Sequence, residues 1–119
     1  MRAILIAAAS LFYLTLGLTA LVRPETLLSG FGIRIQGRDG SNEVRAVYGG
    51  FPLAVAGLLS FSLFHVELSD GVFLALAVVT LGMAVGRTIS ALIDCGIGRL
   101  PAILIGIEVL VAAMIAASI

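Results

Sequence analysis

The amino-acid sequence predicts an all-α protein, a bundle of four antiparallel transmembrane helices with a long first loop folded over one end. Three observations support this fold class. Of the 119 residues, 61% are hydrophobic and 12% are charged, whereas a soluble domain has roughly 45–50% apolar and about 25% charged residues. Four apolar segments each reach the roughly 20 residues that cross a bilayer as a helix. Short connections join the later segments, which favours antiparallel neighbours.

The composition also excludes several classes of protein. Its mean hydropathy is +1.20, and the chain has too few polar residues to cover the surface of a soluble enzyme. Seven basic residues balance seven acidic ones, so the basic excess of a nucleic-acid-binding domain is missing. We therefore expect one integral membrane domain over residues 1–119 and no nucleic-acid partner.

The four spans are predicted over residues 3–22, 44–64, 71–93 and 100–119. Arg23 and Pro24 end the first span, because a proline disfavours helix in the residue before it. This span also resembles a secretory signal peptide, but its apolar stretch exceeds the 7–15 residues of such a segment. Pro52 is expected to kink the second span.

The connection over residues 24–41 is predicted to be a long loop. Within it, Gly32 to Gln36 alternate between apolar and polar residues, which weakly resembles a strand, and Gly37 to Gly40 are typical of a turn. Apolar residues such as Phe31 and Ile33 argue against disorder, so we expect the loop to fold back on the bundle. Basic residues are concentrated on its side of the membrane, which predicts a cytoplasmic position.

Small residues mark two stripes at helical spacing. Gly82, Gly86 and Ser90 form one stripe in the third span, and Gly50, Ala54 and Gly57 form the other in the second. Since close helix packing in lipid uses small residues, both stripes are predicted to be packing faces.

Four charged residues lie within the apolar spans or at their edges: Glu43, Arg45, Arg87 and Glu108. Each costs about 2.5–3.5 kcal/mol at the centre of a membrane helix, so they must pair or face water. The predicted topology puts all four in the half of the bilayer nearest the first loop. Their two negative and two positive charges predict a compact ionic network.

A polar cavity is expected around this network, opening toward the first loop. Helical spacing adds polar neighbours, since Arg45 and Tyr48 are three residues apart, as are Arg87 and Ser90. The candidate ligand-binding residues are Asn42, Glu43, Arg45, Tyr48, Arg87, Ser90, Asp94 and Glu108. The alternative is a structural cluster of ion pairs that holds no ligand.

Neither a metal site nor a cofactor is predicted. The single cysteine, Cys95, cannot form an internal disulfide or a Cys-x-x-Cys pair. The single histidine, His65, lies at a helix end without a second histidine to share a metal ion.

The segment from Asn42 to Gly50, with the pattern Glu-x-Arg-Ala-x-Tyr-Gly-Gly, resembles the DUF4345 family of small bacterial membrane proteins of unknown function. Further matches are Gly86-Arg87, Asp94, Pro101 and Glu108, so the resemblance covers nearly the whole chain. Cys95 departs from the Asp-Gly pair expected there. The resemblance implies a four-helix architecture similar to DoxX-like proteins and a place in the bacterial inner membrane, but it implies no reaction.

The resemblance places motif residues at Glu43, Arg45, Tyr48, Gly49, Gly50, Arg87, Asp94 and Glu108. Three functions remain open. The protein could bind or move a small amphiphile or anion, with arginines on the headgroup and Phe31 and Phe51 beside the tail. It could be a cofactor-free lipid-modifying enzyme of the isomerase or cyclase type, with Glu43 or Glu108 as general acid or base. It could be an accessory or structural subunit of a membrane complex. The expected partners are membrane lipids or a small amphiphilic or anionic ligand, together with a second copy of the chain or another membrane subunit. A small multidrug transporter is disfavoured, because the first span has no acidic residue.

Overall fold

A computed structural model describes all residues from Met1 to Ile119 and confirms the predicted fold class: the chain is 83% helical and contains no strand. The elements are α1 (Arg2–Val22), α2 (Pro24–Ser29), α3 (Gly37–Val44), a π-helical segment (Arg45–Gly50), α4 (Phe51–Ser62), α5 (Val66–Ile93) and α6 (Arg99–Ala116). Because α3, the π-helical segment and α4 are continuous, four helices are long and apolar enough to cross a membrane. The chain is therefore a multi-pass membrane protein.

Two spans begin earlier than the hydropathy pattern predicts. The second begins at Gly37 rather than residue 44, and the third begins at Val66 rather than residue 71. Each extension carries an acidic residue in its first turn, Asp39 and Glu67 respectively. A negative charge there stabilises the positive end of the helix dipole, so the helices continue past the apolar segments.

The prediction of one long loop over residues 24–41 is wrong. Pro24 to Ser29 form α2, with the proline in its first turn and Glu25 beside it, because a proline is well suited to the start of a helix. The predicted turn at residues 37–40 is also helical, which leaves only residues 30–36 without helix. No strand forms there, since a lone extended segment has no neighbour to complete its backbone hydrogen bonds.

The helices pack as two close pairs. One pair is α1 with the π-helical segment and α4, and the other is α5 with α6; contacts between the pairs are sparser. Only 24 of 119 residues are buried, and large apolar side chains such as Leu74 and Leu110 point outward. An outer surface of this kind fits lipid as the surrounding solvent.

The closest packing in the first pair occurs at Gly17 and Gly49. A Cβ atom added to Gly17 would lie 2.8 Å from the carbonyl oxygen of Gly49, and one added to Gly49 would lie 2.8 Å from Leu21 Cδ2. Any larger residue at either position would push the two helices apart. The pair therefore depends on glycine at both positions.

The two predicted small-residue stripes do not pack within the bundle. Gly57, Gly82 and Gly86 are exposed, and an added Cβ atom at any of them would meet nothing within 4 Å. The inward face of α5 instead uses Ala77, Thr80 and Ala84. The spacing of small residues thus identifies a helix face without large side chains. It does not indicate whether that face packs inside the bundle or lies on its outer surface.

The α5 helix ends with a strained cysteine. Cys95 has a φ angle of 50°, and the amide of Gly96 donates to the carbonyl oxygen of Ala91. This arrangement is a common helix terminator in which glycine normally occupies the left-handed position. Cys95 stands where the family resemblance led us to expect part of an Asp-Gly pair.

Replacing Cys95 by glycine is expected to stabilise the protein by about 1 kcal/mol, since a left-handed conformation costs a residue with a Cβ atom roughly that much. Thermal unfolding in detergent would measure the change. Cys95→Ala is the matched control, because it removes the thiol but keeps the Cβ atom. Equal stability of the glycine and alanine variants would contradict the expectation.

Candidate functional site

One partly buried ion pair joins α5 to α6, and helical periodicity positions both partners. Arg87 continues the inward face of α5, one turn beyond Ala84 and two turns beyond Thr80. Glu108 is the first buried residue of α6, followed by Val111 on the same face. Residues three or four apart share a helix face, so both charged side chains point toward the bundle interior.

The geometry of the pair leaves part of the arginine free. Arg87 Nε donates to both carboxylate oxygens of Glu108, at 3.0 Å to Oε1 and 3.1 Å to Oε2. The Glu108 side chain is 2% exposed and that of Arg87 is 26% exposed. The two Nη atoms of Arg87 make no hydrogen bond to the protein. Glu108 thus neutralises the guanidinium charge by contacting its Nε atom, while the edge formed by the two Nη atoms remains available to donate hydrogen bonds to another group.

The exposed part of Arg87 lies at the wall of a cavity of about 320 Å³. The cavity is bounded by α1, α2, the π-helical segment, α5 and α6, and Glu108 also lines it. Most of the remaining wall is apolar, and its residues are Phe12, Leu16, Thr19, Thr26, Leu27, Gly30, Phe31, Tyr48, Met83, Leu100 and Leu104. The site therefore combines hydrogen-bond donors with space suited to hydrocarbon.

The short connection after α2 contributes to this cavity. The Phe31 ring lies with its centroid 5.7 Å from Arg87 Cζ, within the range of a cation–π contact. Leu28 on α2 is buried, and a Cβ atom added to Gly30 would lie 3.0 Å from Leu100 Cδ2 on α6. This connection packs on the bundle next to the ion pair.

Only three of the eight predicted site residues meet at the cavity: Tyr48, Arg87 and Glu108. Asn42 and Glu43 are exposed on α3 and form no ion pair. Their helix has no buried residue, because it extends beyond the packed part of the bundle.

The other predicted residues lie away from the cavity. Arg45 is exposed, and its Nε donates to the carbonyl oxygen of Leu21 at 3.0 Å, which completes a hydrogen bond at the end of α1. Ser90 donates to Asp94 at 3.4 Å on an exposed surface at the end of α5. The predicted network of four charges is therefore wrong, and a single pair forms inside the bundle.

The π-helical segment explains why Arg45 and Tyr48 separate. The prediction placed them on one face because residues three apart are neighbours in an α-helix. A π-helix bonds residues five apart, as the amide of Phe51 does to the carbonyl oxygen of Ala46. The wider turn brings Tyr48 to the cavity while Arg45 reaches α1. Pro52, just after this segment, cannot donate the hydrogen bond that an α-helix requires.

Three residues of α1 contribute to the core or the cavity although the sequence pattern did not indicate them. Tyr13 is buried and its hydroxyl hydrogen-bonds to that of Thr80. Phe12 and Leu16, which lie one helical turn apart, both line the cavity. The signal available was Tyr13, an aromatic polar residue in a span without charge, which needs a partner when it is buried.

Together, the fold and the site define a multi-pass helical membrane protein with one ion pair beside an apolar cavity. The chain belongs to the family described as Domain of unknown function (DUF4345), whose model matches residues 1–117. The family resemblance noted in the sequence is thus confirmed. No curated protein and no solved structure matches the chain.

Breaking the ion pair from either side is expected to have unequal effects. Arg87→Met would leave a nearly fully buried carboxylate without its partner, which costs about 3–5 kcal/mol. Glu108→Gln should cost less, because the partly exposed guanidinium can turn toward the cavity. Chemical unfolding in detergent would measure both variants. The double variant with Met at 87 and Leu at 108 should recover most of the lost free energy of unfolding. If the losses of the two single substitutions instead add in the double variant, a direct interaction between the two side chains is contradicted.

Proposed function

We propose that this protein binds an anionic amphiphile within the membrane, with the ligand headgroup on Arg87 and its hydrocarbon in the adjacent cavity. One observation carries the proposal: the Nη atoms of Arg87 are free at the wall of a mainly apolar cavity. A guanidinium offers two parallel donors to a carboxylate or phosphate. A ligand that combines such a group with hydrocarbon complements both parts of the site.

The ion pair favours binding over catalysis. Both oxygens of Glu108 accept from Arg87 Nε, so this carboxylate is engaged rather than directed at a substrate atom. Glu43, the other candidate acid or base, is exposed outside the cavity. A cofactor-free lipid-modifying enzyme is therefore the weaker proposal. An accessory subunit, in which the pair only joins helices, is the main alternative.

The proposal extends to location and partners. A bacterial inner membrane would supply anionic amphiphiles directly to the cavity, consistent with the DoxX-like architecture suggested by the sequence. The connection after α1 is proposed to face the cytoplasm, because arginines are concentrated at that end. Membrane lipids are the proposed partners, together with a second copy of the chain or another membrane subunit.

Binding of radiolabelled oleate and oleyl alcohol to the detergent-purified protein tests the proposal. These molecules share a hydrocarbon chain and differ in headgroup charge. A hydrogen bond to a charged group contributes about 1.5–3 kcal/mol, so oleate should bind the native protein at least about tenfold more tightly. The combined variant Arg87→Gln with Glu108→Gln should lose this preference while retaining a neutral hydrogen-bonded pair in place of a buried charge.

Arg34→Gln is the matched control, since it removes one exposed arginine of the connection without touching the cavity. Its preference for oleate should equal that of the native protein. Equal affinity of the native protein for the two probes would overturn the proposal and support a purely structural ion pair. Conversion of a lipid to product, abolished by Glu108→Gln, would instead support the enzyme alternative.

A further inference from the structure

A second apolar cavity also has Arg87 in its wall. It measures about 380 Å³ and is bounded by α1, the π-helical segment, α4 and α5. Val47, Phe51 and Val79 line only this second cavity, whereas Leu16, Tyr48, Met83 and Arg87 line both. The two cavities therefore share a wall that contains the arginine.

The position of the cavities follows from the packing of the helices. The first lies where α1 and α2 approach α5 and α6, and the second lies where α1, the π-helical segment and α4 approach α5. Contacts are sparser at these seams than inside either close helix pair. Each cavity is thus a gap between the two helix pairs, and each is partly open to the surface that faces lipid.

Hydrogen-bond donors are concentrated at the shared wall. Arg87 is the only charged residue that lines the second cavity, and its Nη atoms are unpaired. Tyr48 is 38% exposed, and its hydroxyl forms no hydrogen bond in the protein. A headgroup with several acceptor oxygens could bind both residues at once.

Resting on the proposed function, we infer that the ligand is a two-chain anionic lipid whose phosphate binds Arg87 and Tyr48 and whose two chains occupy the two cavities. In a bilayer, an apolar cavity left empty forfeits dispersion contacts along its walls. A single chain would fill one cavity and leave the other without those contacts. A lipid with a headgroup between two chains fills both from one anchoring point.

Dioleoyl phosphatidate and its single-chain lyso form are the probes that test this inference in the detergent-purified full chain. Native protein should bind the two-chain probe at least about tenfold more tightly. Val79→Phe places a larger side chain in the second cavity and should remove most of that preference without weakening the single-chain probe. Val85→Phe is the matched control, because Val85 is 49% exposed against 45% for Val79 and lines neither cavity.

Three results would overturn the inference: equal binding of the two probes by native protein, an unchanged preference in Val79→Phe, or displacement of either lipid by equimolar inorganic phosphate. The last would show that the phosphate group alone accounts for binding. If oleate still binds through Arg87 in these cases, only the two-chain inference fails. If oleate shows no preference over oleyl alcohol, the proposed function fails as well.

Discussion

The partly buried ion pair between Arg87 and Glu108 is the interaction on which the rest of the site depends. An unpaired charge inside a membrane is costly, and Glu108 is almost completely buried. The carboxylate therefore requires the guanidinium, and this requirement fixes how α5 and α6 face each other. The contact uses Nε alone. It therefore stabilises the packing of α5 against α6 and leaves the two Nη atoms of the arginine free to donate into the cavities.

The cavities exist because the four spans form two close pairs rather than a uniform bundle. Gly17 and Gly49 let α1 approach the π-helical segment closely, and α5 lies along α6. The same π-helical segment turns Tyr48 toward Arg87. The backbone geometry of the second span thus has two consequences. It allows the close packing against α1, and it places Tyr48 in the wall that the two cavities share.

Much of the fold follows from the sequence because a bilayer imposes a simple length and hydropathy requirement on each span. The number of spans and their helical class could be predicted in this way, and the cost of a charge in lipid predicted that Arg87 and Glu108 would be paired. The positions of Arg45 and Tyr48 could not, since the prediction assumed α-helical spacing where a π-helix forms. The faces of Gly82 and Gly86 were also mispredicted, because spacing carries no information about direction.

The ends of the helices show a second limit. Pro24 was interpreted only as the end of α1, although it also begins α2. Glu43 was assigned to the site because it lies at the start of the apolar span, and Asn42 because it lies three residues before Arg45, yet both lie on an exposed helical extension. Residues near a membrane boundary can continue a helix outward, and hydropathy alone does not distinguish this case from entry into the bundle.

The most direct measurement of the central claim is a solid-state NMR recoupling experiment between ¹⁵N-labelled arginine side chains and oleate labelled with ¹³C at its carboxyl carbon, in bilayers. Binding through the free edge of Arg87 predicts strong coupling of the carboxyl carbon to Nη signals and weaker coupling to Nε. That coupling should vanish in the variant with glutamine at positions 87 and 108. Equal coupling in the native protein and this variant would contradict a headgroup site on Arg87.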